Sequence, residues 1–500
     1  MCSSDLTSAK TISPAITDNG TTTIQVINSA NGAPGIITFS GNVAADTITI
    51  GTTTNAGSAL FNGTVLQGAE TTNIVIVGGD AAGEASLGNF ANTVTVTAIT
   101  LNDQTGGATI QFSGSGKTIT GTIDGSAAGK GTVNISGATN TISSKIGDTY
   151  RPAQLTISGA TTFSDAVKTT ALTTTAAISN GTTLDVSGAS SIGANITTSS
   201  TQTYTGAVTL TTGAITLTTT NSNVSFGNTV NGGQALTVAQ GSGTTTFTGA
   251  VGTGTALTSI NISGTGPITI SGGSIRTTGN QTYAGATTLT ADTTFTTTSN
   301  GNVTFNGTLN SDGATPRNLT AALGTGTLVI GDSSADTVGA TNALGAIAIT
   351  GALDLNAAIT SATSLSVSLT SDIGANITTT GNITFTGDVT VSADATIQSG
   401  SKTTYTTYTA YTVPTGVTSL TITAIGGAGG RGGNDGSNTG GLTGPVGSLT
   451  ATFSVTAGNI VYIFPGSGGS QGVDSAGSRS EEHTSELQSH HDLVCRLLLE

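Results

Sequence analysis

Along most of the chain, apolar and hydroxyl-bearing residues alternate in short runs separated by Gly or Asn. Residues 206–210 read Gly-Ala-Val-Thr-Leu, and 223–226 read Asn-Val-Ser-Phe. Alternation with period two marks a β-strand with one side toward a core, because successive side chains point to opposite faces. On this basis residues 23–27, 36–39, 46–50 and 73–77 are predicted strands. Residues 73–77 are nearly all apolar, which predicts burial on both faces. Gly83 to Phe90 is the least strand-like stretch of the first third and is predicted to be a loop. Helix is disfavoured throughout: Thr and Val lose rotamer freedom in a helix, and Gly interrupts every candidate run.

The pattern repeats. Residues 201–231 recur at 280–310, an offset of 79 with 16 of 31 positions identical. Ile-Gly-Ala-Asn-Ile-Thr-Thr occurs at 192–198 and again at 373–379, an offset of 181. Phe163, Tyr204, Phe226, Phe247, Tyr283, Phe305 and Phe385 each fall in a short Thr-rich run, as if one aromatic sat on each stacked rung. Short strands bury little singly. Stacked coils pair each backbone N–H and C=O with the coils above and below and join the apolar residues into one core. The predicted fold is therefore all-β, a right-handed parallel β-solenoid over residues 7–403. Tandem β-sandwich modules are the alternative. Asn at the turns can adopt positive φ and stack as amide ladders. From about Tyr405 the composition shifts. Strands at 418–425, 448–455 and 459–464, with a glycine loop at 426–447, predict a small antiparallel module over 404–478.

Both ends read differently. Residues 479–500 match the translation of a short-read sequencing adaptor, and residues 1–6 fit its reverse strand, so both ends read as foreign and carry no fold reasoning. Between them, residues 7–478 contain no Cys, His, Met or Trp. They carry 20 Asp/Glu against 10 Lys/Arg, a formal net charge of −10. Sparse negative charge argues against nucleic acid, whose phosphates need clustered bases. No window approaches the ~20 apolar residues of a membrane helix. A Cys-free, Thr/Gly/Ser/Asn-rich acidic chain suits an exported bacterial surface protein.

The runs Gln202–Leu210 and Gln281–Leu289, with 223–226 and 302–305, resemble the β-strand repeats of filamentous-haemagglutinin-like bacterial exoproteins. The resemblance covers about 192–400 well and the earlier part loosely. It implies a secreted, cell-surface parallel β-helix used for adhesion. Export would be by two-partner secretion or as an autotransporter passenger, with a secretion partner in the outer membrane. Extracellular or cell-surface ligands, carbohydrate among them, would be its targets. The secretion domain of that family, with its Asn-Pro motif, is not found here. The segment from Val413 through Gly466 also resembles glycine-rich β modules of bacterial surface proteins.

Candidate chemistry is limited. Without His or Cys in 7–478, nucleophilic triads and imidazole or thiolate metal sites are excluded there. Carboxylate pairs remain, Asp332 with Asp336 and Asp80 with Glu84, which could serve glycoside hydrolysis; Asp332 and Asp336 meeting Arg317 or Lys168 in a cleft would favour that reading. The alternative is solvated turn acids. Residues 434–438, Asn-Asp-Gly-Ser-Asn, offer oxygen ligands but lack the acidic density of a calcium loop. Tyr405, Tyr408 and Tyr411 sit three apart, which places neighbours on opposite sides of a strand rather than on one stacking platform. The glycine loop has no Gly-Lys-Ser/Thr and no following helix, so it is not a phosphate cradle. The expectation is a non-enzymatic adhesive or structural repeat protein with no catalytic, cofactor or metal residues. A carbohydrate-active β-helix enzyme and a surface-layer protein are the alternatives.

Overall fold

In a computed structural model the chain divides into two compact units, Met1–Ser401 and Lys402–Glu500. Residues 9–18, 21–27, 35–68, 71–313 and 315–400 of the first are described, with 409–413, 419–425, 448–456, 458–463 and 498–499 of the second. The described residues contain no helix. The first unit is a parallel β-solenoid of about 17 turns. Every strand pair within it is parallel, which rules out the sandwich alternative.

Each turn passes through three faces. The first face begins as an eleven-stranded parallel sheet from Lys10–Ile12 to Val230–Asn231. The second carries Asn140–Ile142, Thr161–Phe163 and Ile178–Gly181. The third carries Val167–Thr169, Leu184–Val186 and Gln202–Tyr204. Turn length varies from 17 residues, where Val167 pairs with Leu184, to 29, where Leu309 pairs with Val338. The extra residues go into corners, so strand registers survive.

Most strands are three residues long and run inward, outward, inward, as in Val224–Phe226 and Ile268–Ile270. Two apolar side chains per strand therefore enter the core, and one hydroxyl or amide faces out. The inward set forms one continuous core from Val26 to Ile377. Aromatics stack along it in separate files. Phe39, Phe61 and Phe90 stack on the first face with ring centroids 4.7 Å apart. Tyr204, Phe226 and Phe247 stack on the third, and Tyr283 with Phe305 on the second. The expected single aromatic per rung thus becomes three local files. Phe385, near the end of the solenoid, only packs part-buried against the core.

Two local expectations are corrected. Ser86–Phe90 is a strand, not a loop. Gly88 leaves room for the Cδ1 atoms of Ile50 and Ile76, and Phe90 stacks on Phe61, so tertiary packing makes a strand of a weak local pattern. Asn73–Val77 is not buried on both faces: Asn73 and Val75 face outward half-exposed, while Ile74, Ile76 and Val77 are buried.

The corners are built by polar side chains. Thr198, Thr277 and Thr379 end strands facing inward, and each hydroxyl donates to the carbonyl two residues on, at 2.6, 2.6 and 2.7 Å. A buried hydroxyl so satisfied costs little, and the bond fixes the bend. Asn side chains bind the turn that follows. Asn223 Oδ1 accepts from Thr244 N–H, Asn280 Oδ1 from Asn302 N–H, and Asn302 Oδ1 from Thr327 N–H. Asn221 and Asn300 adopt positive φ, 53° and 59°, and accept from Ser242 and Thr325. The ladders expected of turn Asn exist, but they join amide to backbone.

The 79-residue repeat is explained by these corners. Gln202 and Gln281 are fully buried. Gln202 Nε2 donates to Ile196 O, Thr198 Oγ1 and Thr218 O, and Tyr204 Oη donates to Gln202 Oε1. Gln281 and Tyr283 reproduce this with Ile275 O, Thr277 Oγ1 and Thr296 O. The repeated Gln-Thr-Tyr is thus a buried polar plug that ties two successive turns together. The copies lie on different faces: Gln202–Tyr204 is on the third, Gln281–Tyr283 on the second.

In the second unit, Thr409–Thr412 pairs antiparallel with Ile460–Ile463, and Ser419–Ile425 with Ser448–Ser454. Leu498–Leu499 adds a short strand beside Ile460–Ile463. The predicted glycine loop at 426–447 lies outside the described residues.

Candidate functional site

The carboxylate pairs picked out by sequence resolve into separate turns. Asp332 is exposed in the corner between Arg317–Ile330 and Thr337–Val338. Asp336 Oδ2 accepts from Ser333 Oγ at 3.1 Å within that corner. Glu84 closes its own turn by accepting from Ala81 N–H at 3.3 Å, and Asp80 is exposed. Arg317 is committed elsewhere: its Nε and Nη2 reach the two Asp312 oxygens at 3.1 and 2.8 Å. Those bonds raise its pKa from an already high value. Lys168 is eight ladder steps from Thr337–Val338 along the third face, roughly 38 Å at 4.8 Å per step. A hydrolytic pair needs its carboxyls ~5–10 Å apart around one bond. Lys168 is too distant to join Asp332 and Asp336.

A shallow dent of about 180 Å³ lies beside the Arg317–Asp312 pair, lined by Ser311, Pro316 and Asn342 among others. No group of three or more His, Cys, Asp or Glu able to hold a metal occurs among the described residues. The Asn-rich segment 434–438 lies outside the described residues, as do Tyr405 and Tyr408. Tyr411 lies half-buried on Thr409–Thr412.

The solenoid instead offers surface. On the first face an outward file runs over eight rungs, from Asn89 through Gln111, Asn134, Thr156, Thr173 and Ser191 to Thr209 and Asn231, without a charge. Parallel pairing spaces these groups by about 4.8 Å.

No family model, curated protein or solved structure matches this chain. What the molecule can do is therefore read from its own geometry.

One corner carries an exposed aromatic that the sequence reading passed over. The loop before Gln154–Ile157 lies at the corner between the third and first faces and is hydrogen-bonded to the turn before it. Thr149 and Tyr150 N–H groups both donate to Asp124 Oδ1, at 2.9 and 3.2 Å. Gly125 N–H donates to Tyr150 O at 3.1 Å, and Gly129 N–H to Arg151 O at 2.9 Å. Tyr150 is thereby held with 46% of its surface exposed, the one exposed large aromatic among the described residues. Arg151 extends along the rod to Asp185, bonding its carboxylate and its carbonyl. Lys145 pairs with Asp148 at 3.0 Å, which raises the lysine pKa through that hydrogen bond. Lys130 and Lys168 make no ion pair among the described residues. The available signal was charge placement: half of the ten bases in 7–478 lie between Lys117 and Lys168.

No helix among the described residues is long and apolar enough to cross a membrane.

Proposed function

We propose that this chain is a non-enzymatic adhesive or structural rod, secreted or held at a bacterial cell surface, that engages ligands through its extended β surface. The observation that carries this is the solenoid itself. About 17 turns spend their inward positions on one core, and on the first face eight successive outward positions form an uncharged hydrogen-bonding file. The two candidate carboxylate pairs lie in separate corners, with Arg317 paired to Asp312 and Lys168 remote. Weak contacts repeated along a rod add by multivalency, which suits attachment. A repeat rod could also assemble into a surface layer, but adhesion draws directly on the outward file.

The test presents the full chain on micrometre beads and measures retention on cell and glycan-coated surfaces under flow, alongside release of reducing sugar from soluble polysaccharides. Protein-dependent retention without sugar release is expected. Sugar release that disappears in Asp332→Asn or Asp336→Asn would instead make the protein a carbohydrate-active enzyme.

A further inference from the structure

We infer that the knuckle formed by Tyr150 and its flanking lysines is a recognition site for a carboxylate-bearing polysaccharide lying along the rod, an inference that rests on the adhesive reading above. Four observations converge. First, Tyr150 presents its ring on a backbone already fixed by Asp124 and Gly125, so binding costs little ordering. A rigid exposed aromatic with a hydroxyl edge suits the apolar face and hydroxyl rim of a sugar ring.

Second, the acids bonded around it are spent and two cations are not. Asp124 is taken by two N–H groups, Asp148 by Lys145 and Asp185 by Arg151. Lys168 follows in the rung beneath: a Cβ added at Gly147 would meet the Lys168 carbonyl at 2.3 Å. Lys130 sits at the same corner as Tyr150, one residue after the Gly129 N–H that binds Arg151. The rest of the rod is acidic and repels a polyanion, so attraction is confined to this corner.

Third, the free cations are lysines rather than guanidinium forks. An ammonium is a compact point charge with rotatable donors, so it meets carboxylates spaced along a flexible polymer without demanding the fixed fork geometry of a guanidinium. Fourth, the neutral file of Thr156, Thr173 and Ser191 continues on the adjoining first face, where sugar hydroxyls can be met without desolvating a charge. Exposed large apolar side chains lie elsewhere, at positions such as Leu66 and Val391, which disfavours a protein hot spot or a lipid surface here.

The experiment measures binding of the full chain to polygalacturonate, to neutral dextran and to polyglutamate, by calorimetry at two salt concentrations. Tighter binding to polygalacturonate than to either comparator is expected. Tyr150→Ala should weaken it about tenfold, with Tyr150→Phe staying within about twofold. Joint Lys130→Gln and Lys168→Gln should weaken it by a similar factor and flatten its salt dependence. Arg276→Gln, on a remote part of the rod, should change nothing. Each variant is checked by circular dichroism, and Tyr150→Phe keeps the ring should Tyr150→Ala misfold. Equal binding to dextran, equal binding to polyglutamate, no binding to polygalacturonate, or indifference to Tyr150→Ala overturns the site. Beads still retained under flow in that case leave the adhesive rod standing. Loss of retention by the unaltered protein removes that reading as well.

Discussion

The two copies of the repeat, 201–231 and 280–310, share half their residues yet sit on different faces, and they differ in the strand between their aromatics. In the first copy Ile215, Leu217 and Thr219 point inward. In the second the inward residues are Thr293, Phe295 and Thr297. At an offset of 79 the residues aligned with the first set would be Thr294, Thr296 and Thr298, so the strand has slipped by one. The slip turns Phe295 into the core, where its ring meets Tyr283 and Phe305 edge-on at 5.7 and 5.2 Å. A one-residue slip exchanges the two faces of a strand, so the buried apolar set decides the register. The corners absorb the difference. Thr219 and Thr297 each still end the strand and donate to aligned carbonyls, those of Ser222 and Gly301.

The comparison teaches that the unit this chain repeats is a strand with its corner, not a turn. The 79 residues from Gln202 to Gln281 pass eleven strand positions, which at three per turn is three and two-thirds turns. The Ile-Gly-Ala-Asn-Ile-Thr-Thr copies also change face, in the opposite sense, from Ile196–Thr198 on the second to Ile377–Thr379 on the third. The three faces accept the same motif because each asks for the same inward, outward, inward pattern.

The sharpest way to break this comparison is by deletion. Removing 202–280 joins Thr201 to Gln281 and moves every later strand by one face. Removing 202–267 joins Thr201 to Ile268, whose strand lies on the same third face as Gln202, and moves none. Both shortened chains should give β circular dichroism and a cooperative melt. If only the second folds, the faces are not interchangeable, and the strand-and-corner unit is wrong.

A smaller effect compares the plugs. Gln202→Ala and Gln281→Ala each take the amide donor from one buried and one part-buried carbonyl and the acceptor from a buried tyrosine hydroxyl, at a cost of about 1–3 kcal/mol per group left unsatisfied, reduced where water enters. Equal losses in urea unfolding are expected from the two copies. Unequal losses would show that the face, and not the motif, sets the plug's contribution.

The smallest effect is a pH limb. Burial raises the phenol pKa of Tyr204 and Tyr283 far above the ordinary 10.0. A neutral phenol is favoured in the fold, so stability is full below pH 10 and falls as pH rises above it, where only the unfolded phenols ionise. Each tyrosine contributes a slope of about 1.4 kcal/mol per pH unit there. The double variant Tyr204→Phe, Tyr283→Phe should flatten the alkaline limb. An unchanged limb would mean that other groups set it.

Part of the site was legible and part was not. The concentration of bases between Lys117 and Lys168 stood in the sequence, but nothing local announced that Tyr150 would be exposed or that Asp124 would hold it. That bond spans 26 residues. Asp332 and Asp336 looked like a pair because they are four apart, yet a corner of chain can satisfy such acids locally, as Ser333 does.

By itself the sequence determined the all-β class: the period-two runs, the Gly and Asn corners and the repeats call for many short strands, and the parallel pairing then decided for stacked coils over sandwiches. It also determined which residues of most strands face inward, since apolar side chains leave water wherever the chain allows. Tertiary structure alone decided which face each strand occupies, that Ser86–Phe90 is a strand, and that Gln202 and Gln281 are buried. Those outcomes depend on partners supplied one turn away, 17 to 29 residues along the chain, where no local pattern can see them.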